Sequence, residues 1–347
     1  ENNKITGVVA RDLISDRQLQ FKGTFVINAA GPWVDDVRSL ETLPKGKKLH
    51  LTKGIHIVVH KSDLPVKHAL YFDVAGDNRM IFIIPRGDMV YIGTTDTNYT
   101  GDKDNISLTT EDADYLIQAV NALFPELVLR NNQILSGWAG LRPLIHEEGK
   151  SPSELSRKDE IFISDKELIS IAGGKLTGYR KMAEKVVNLL AKKEKKQGKQ
   201  VPASNTINIK LFGADFNIPI EEYIERRTGE AKQIEVSRKT ITYLVHNYGT
   251  ATEDIINLAF EIGNSVKNAH LRILTAEIIY CIENEMVTNV SDFIIRRTGL
   301  LYFDMPTAKA IYTDVANVIA DRLNLDEVEK QQQIEFFLTA LVQVLPA

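Results

Sequence analysis

The chain has 347 residues, 44% of them hydrophobic and 25% charged, with a formal net charge of −4 at pH 7. That length suits two or three domains, each with its own interior, and the lack of a basic surplus argues against nucleic acid as a partner. The single cysteine, Cys281, allows no intrachain disulfide and points to a reducing compartment, and no run of about 18 apolar residues offers a membrane span.

The opening residues, ENNKITGVVARD, read as polar residues entering a strand in mid-domain, so the chain is expected to be cut from a longer protein. β-like runs follow in KITGVVARD and LQFKGTFVINAAG, and PWVDDVRSL then reads as a helix with Pro32 at its first position, where a missing N–H costs nothing. GIHIVVH, ALYFD, RMIFIIPR and MVYIGTTD read as strands, the last two joined as a hairpin through Pro85-Arg86-Gly87-Asp88. A helix is expected from about Thr110 to Ala122, opened by Thr109 or Thr110, and ILSGWAGLRPL returns as a strand. Residues 147–160 read as a surface loop. EIFISDKELISIAGGK is a second strand pair, turning at Ser164 to Glu167, that runs into a helix with Leu176, Tyr179, Ala183, Val186 and Leu190 on one stripe.

The segment AKKEKKQGKQ, 191–200, is read as a frayed helix end entering a linker, and a domain boundary is placed there. Beyond about Phe216 the pattern is helical throughout, with stretches near 233–247, 251–262, 275–286, 306–321 and 326–343. The chain is thus α/β and β-rich first and all-α afterwards, in the order of an antiparallel insert inside a nucleotide-binding domain.

Several stretches bring polar groups to bare backbone. In IAGGKLTGYR a strand passes through two glycines and Lys175 into a helix, leaving helix N–H groups and the positive dipole end open to an anion or an electron-rich ring edge. In INAAGPWVDD, Gly31 has no side chain to bar a ligand, although the same residues simply end a strand. Arg142 in GWAGLRPL lies among Trp138, Leu141 and Leu144; as a surface arginine it needs only an ion pair, but in a buried wall its guanidinium requires an anionic or hydroxyl partner. LTKGIHIVVH places Lys53 and His56 beside Gly54. His56 shares a face with Val58, so it is either a polar strand edge or a base in a cleft, with His146 the competing base. No His/Cys/Asp cluster has metal-ligand spacing, and no early G-x-G-x-x-G turn is present.

FVINAAGPWVDDV, LTKGIHIVV, IGTTDT, GWAGLRPL and IAGGKLTGYRKMAE, in that order, together resemble the FAD-dependent glycerol-3-phosphate dehydrogenases of the D-amino-acid-oxidase-like flavoproteins. The resemblance implies an incomplete FAD-binding domain (1–53 and 159–200), an inserted antiparallel substrate or cap domain (54–158) and a C-terminal helical domain (201–347). It implies that Gly173, Gly174, Lys175, Leu176 and Thr177 lie against the flavin of FAD, that Ala30 and Gly31 pass near its nucleotide portion, and that Arg142 reaches the substrate. At Gly178 the chain departs from a threonine common in that family.

The reaction implied is oxidation of sn-glycerol 3-phosphate to dihydroxyacetone phosphate, with His56 as first choice of base and Lys175 serving flavin and substrate charge. Electrons would pass to a quinone, from a cytoplasmic protein resting on the inner face of the cell membrane. Without the glycine-rich turn this chain alone is expected neither to hold FAD nor to turn over. A glycerol-3-phosphate oxidase, a related amino- or hydroxy-acid oxidoreductase, and a non-catalytic interaction piece whose helices serve a homodimer or membrane contact are the alternatives.

Overall fold

The computed structural model describes residues 4–44, 46–74, 76–77, 79–146 and 158–346. The loop expected over 147–160 lies largely outside them. Chain order begins with an antiparallel ribbon, β1 (Gly7–Arg11) against β2 (Gln18–Lys22). A short strand β3 (Ile27–Asn28), a tight turn Gly31–Trp33 carrying Pro32 and helix α1 (Val34–Ser39) follow.

The next unit is one antiparallel sheet: β4 (Lys48–His60), β5 (Leu70–Asp73), β6 (Met80–Arg86), β7 (Met89–Gly93) and β8 (Thr97–Asn98), then helix α2 (Thr110–Leu123) and β9 (Ile134–His146). β4 is its axis, paired along most of its length with β9 and on its other edge with β7 and β8. It runs without a break through the expected boundary at residues 53 and 54. The β6–β7 hairpin turns at Gly87 and Asp88, as the sequence predicts.

Alternation decides what each face does. Ile55, Ile57, Val59, Ile81, Ile83, Val90 and Ile92 point to one face and bury against Leu116, Ile117 and Val120 of α2, each contributing roughly 1.5–3 kcal/mol. Thr109 caps α2 by accepting from the Asp112 N–H in a capping box. Asp112 is claimed as well by the half-buried Lys53, whose ammonium pairs with it, so Lys53 braces the helix to the sheet. The other face carries Thr52, Gly54 and His56 of β4 opposite Arg142, Gly140 and Trp138 of β9.

The chain then returns to β3. Strands β10 (Asp159–Ile163) and β11 (Ile169–Gly173) form an antiparallel pair, turning through Glu167 at φ +67°, and β11 lies parallel to β3. Buried Asn28 fastens this junction: its amide donates to Ser170 Oγ (3.1 Å) and to the Val34 carbonyl (2.9 Å). Helix α3 (Tyr179–Lys196) leaves β11 and packs Val186 against Ile169 and Ile171. It stays helical through four of the lysines expected at a frayed end.

The remainder is helical: α4 (Ile220–Ala231), α5 (Arg238–Tyr248), α6 (Thr252–Ile262), α7 (Ala269–Glu285), a π-helical turn Asp292–Arg297, α8 (Leu300–Phe303), α9 (Met305–Leu323) and α10 (Glu327–Gln343). Helix α4 is not among the stretches expected. Its buried stripe is Tyr223, Ile224, Arg227 and Ala231, and the arginine in the middle breaks the apolar period. Arg227 tolerates that position because Glu230 (2.8 Å) and Glu253 (3.1 Å) pair with it. Helix α7 starts six residues before the expected 275 for a similar reason: buried Arg272 interrupts its first turns while donating to the Val266 carbonyl. No described helix is long and apolar enough to cross a membrane.

Candidate active site

A cleft of about 840 Å³ opens where the sheet face meets the β3–β11–α3 unit. One wall is the junction read from the sequence. Gly173 and Gly174 take φ +76° and +80°, left-handed values that L side chains rarely adopt. At Gly173 contact forbids a side chain too, since a Cβ would lie 2.6 Å from the Lys158 carbonyl oxygen, whereas at Gly174 the nearest atom is the movable Met182 Sδ at 2.7 Å. The double bend turns β11 directly into the turn Leu176–Gly178 and α3. No side chain caps either start, and Lys175, Leu176 and Tyr179 of this stretch line the cleft. Lys175 and Leu176 are exposed at the rim.

The opposite wall holds Arg142 and Thr94. The Arg142 guanidinium donates from Nη1 to the Thr95 carbonyl (2.9 Å) and Asp96 Oδ1 (3.2 Å), and from Nη2 to Thr94 Oγ1 (2.8 Å). It crosses β4 at Gly54, where a Cβ would lie 2.6 Å from Nη2. Arg142 is therefore held by IGTTD while its flank stays on the cleft, an arrangement suited to orienting an anion or a hydroxyl.

Behind this wall sits His56. Its ring stacks on Trp138 with centroids 4.8 Å apart and planes 17° from parallel, and Tyr91 stands 6.1 Å away. On its other side it lies along the backbone of Gly93, where a Cβ would meet Cδ2 at 2.2 Å. Nδ1 is buried with no hydrogen-bond partner among the described residues. Burial first, and the Arg142 charge second, push its pKa down to about 4, so the ring is neutral at pH 7.

Of the residues expected at the site, Gly31, Arg142, Gly173, Gly174, Lys175 and Leu176 line one cleft. Ala30 and Thr177 flank it, Ala29 taking the place beside Gly31, and His56 stands on the same sheet face as Arg142 without lining the cleft. His146 ends β9 away from Arg142, its ring 6.3 Å from His50. Among the described residues no group of three or more His, Cys, Asp or Glu could hold a metal ion.

The sequence reading passed over Asn28, Thr94 and Asp96 as individual residues. An asparagine inside the apolar run FVINAAG was the available signal for the first, because a buried amide must be bonded. Nothing local marks the pairing of Asp96 with Arg142.

Comparison with known proteins agrees with this architecture. The family model described as FAD dependent oxidoreductase matches residues 1–164, and the one described as the C-terminal domain of alpha-glycerophosphate oxidase matches residues 204–330. The aerobic glycerol-3-phosphate dehydrogenase of Staphylococcus epidermidis is 41% identical over 337 residues, covering 96% of this chain and 60% of that protein. That of Bacillus subtilis is 40% identical over 339 residues, covering 96% and 61%. The chain spans about three fifths of the length of these curated relatives. A solved structure, the glycerol-3-phosphate dehydrogenase from Bacillus halodurans complexed with FAD, superposes with a TM-score of 0.88 at 36% identity, covering 99% of this chain and 67% of that one. The α/β unit with an inserted antiparallel sheet and a helical C-terminal domain is therefore the D-amino-acid-oxidase-like flavoprotein fold, and the chain belongs to the FAD-dependent glycerol-3-phosphate dehydrogenase family.

Proposed function

We propose that the chain supplies the flavin-facing junction and the substrate sheet of an enzyme that oxidises sn-glycerol 3-phosphate to dihydroxyacetone phosphate. The observation that carries this reading is Arg142 facing the Gly173–Gly174 junction across one cleft. The residues present suit FAD: a largely apolar cleft of about 840 Å³, a wall kept bare by two left-handed glycines, and an uncapped helix start beside it. When bound, FAD supplies the hydride acceptor. Gly173, Gly174, Lys175, Leu176 and Thr177 would hold its ring edge, and Ala30 and Gly31 its nucleotide portion.

Arg142 orients the substrate through its phosphate or hydroxyl, and Lys175 adds positive charge at the rim. His56, behind Arg142 on the same sheet face, is the group that receives the hydroxyl proton. An anion that engages Arg142 offsets the charge depressing His56, so substrate binding itself makes the imidazole a better base. Pro143 and Leu144, which also line the cleft, exclude water from that step.

A quinone receives the electrons, and the protein rests on the cytoplasmic face of the membrane, where the lysines at the end of α3 offer a basic surface. The resemblance of 204–330 to an oxidase domain favours a second reading in which oxygen is the acceptor. The test is anaerobic: adding sn-glycerol 3-phosphate to the whole protein should bleach its flavin absorbance. Bleaching by amino or hydroxy acids instead would overturn the substrate, and hydrogen peroxide release in air would select oxygen over the quinone.

A further inference from the structure

Trp138 stands between two domains. His56 stacks on the indole, and the rings of Tyr302 and Phe303 from α8 lie 5.1 and 5.9 Å from it. Tyr91 closes the group, 5.9 Å from Trp138 and 6.0 Å from Phe303, and the Arg86 guanidinium covers Phe303 at 4.0 Å. The α8 segment is fastened at three points. Ser136 Oγ donates a 2.6 Å hydrogen bond to the Tyr302 carbonyl, Gly299 turns the chain at φ +67°, and Asp304 caps α9 by accepting from the Thr307 N–H and hydroxyl. Two aromatic side chains of the helical domain are thereby pressed against the stack that contains His56.

We propose that Tyr302 and Phe303 are positioning residues: through Trp138 and Tyr91 they hold the His56 imidazole in one orientation with Nδ1 away from water, so that the helical domain sets how readily this group of the sheet takes up a proton. Stacking fixes one ring face and the Gly93 backbone the other, leaving the aromatic group as the barrier to water. Removing a ring from that barrier hydrates His56 and weakens the burial that disfavours its charged form. The charged and titratable groups facing His56 are Arg142 on β9, itself paired with Asp96, and Tyr91 on β7, with Arg86 beyond them over Phe303. A change at position 302 leaves all of them in place, and one at 303 touches only the contacts with Arg86 and Tyr91. The consequence for turnover rests on the reading of His56 as the proton acceptor; the positioning itself does not.

The measurement is the protonation midpoint of His56 in this chain, read from its ring NMR signal, which is assigned by its disappearance in His56→Gln. Emission from Trp138 gives a second reading in a Trp33→Phe background, because the sequence has only two tryptophans. In the unaltered chain the midpoint should lie near 4. Phe303→Leu should move it toward the ordinary value of 6.5, a rise in proton affinity of about tenfold or more, and Phe303→Tyr should restore it. Phe337→Leu, whose ring is fully buried on α10 and stacks on Tyr312 rather than on this group, should not move it. An unmoved midpoint in folded Phe303→Leu, or an equal movement in Phe337→Leu, overturns the proposal. Should Phe303→Leu fail to fold, Tyr302→Leu takes its place with the same outcomes. A midpoint that moves in Phe303→Leu while the acid limb of kcat in the whole enzyme stays put upholds the positioning and removes His56 from the reaction.

Discussion

Gly54 makes room for Arg142: a Cβ at position 54 would lie 2.6 Å from Nη2 of a guanidinium that reaches across β4 to Thr94 and Asp96. The two residues are 88 positions apart, and their relation depends on the β4–β9 register that pairs Thr52 with Arg142. Gly54→Ala should therefore displace the far end of Arg142 rather than the backbone. In the whole protein, oxidation of glycerol 3-phosphate should fall about 100-fold, as expected when an orienting group is misplaced by about an ångström, with little change in the melting temperature. Turnover within about twofold of the unaltered protein would show that Arg142 does not need this path.

His56 should make stability depend on pH in the acid range. Its folded pKa of about 4 lies below the unfolded value of 6.5, so between them the unfolded chain binds the extra proton and the folded chain does not. The contribution is whole above pH 6.5 and is lost as pH falls toward 4, amounting to on the order of 3 kcal/mol. His56→Gln should flatten that part of the curve in urea unfolding. An unchanged slope would mean that the ring is hydrated in solution.

Glu277 in α7 should act in the opposite direction. It is buried in the helical core, where its Oε1 accepts from the Tyr248 hydroxyl (2.7 Å) and the Tyr243 hydroxyl (3.0 Å), and burial still pushes its pKa up to about 7. The folded chain thus holds a proton that the unfolded chain releases above 4.5, so stability is greatest below that value and declines as pH rises through about 7. The span is also on the order of 3 kcal/mol. Because the two windows overlap, the unaltered protein should show a muted profile. Glu277→Gln, which keeps an acceptor for the tyrosines, should unmask the acid loss due to His56. A profile for Glu277→Gln that superposes on the parent would refute this assignment.

Incubated with excess FAD and freed of unbound cofactor, this chain should keep no flavin absorbance. Its junction contacts can face the ring, but its sequence has no glycine-rich strand–helix turn to receive a pyrophosphate. A retained band would show that the Gly173–Gly174 wall and the α3 start hold the cofactor unaided.

The sequence alone determined whatever depends on neighbours along the chain. Alternation in GIHIVVH set a strand with His56 off the face that buries Ile55 and Ile57, and Thr109 or Thr110 marked the start of α2, which the structure places at Thr109 as cap. Two glycines before Lys175 announced a bend that only glycine enters without strain. Local rules failed where a charged side chain sits on a buried stripe, as at Arg227, which Glu253 of α6 pairs, and at Arg272, which the Val266 carbonyl before α7 receives, since no apolar period registers such partners. Only the tertiary structure decided that Arg142 would lie on Asp96 and that Trp138 would stand between His56 and Tyr302. Those pairings follow from strand register and from docking of the helical domain, which bring together groups that no sequence period relates.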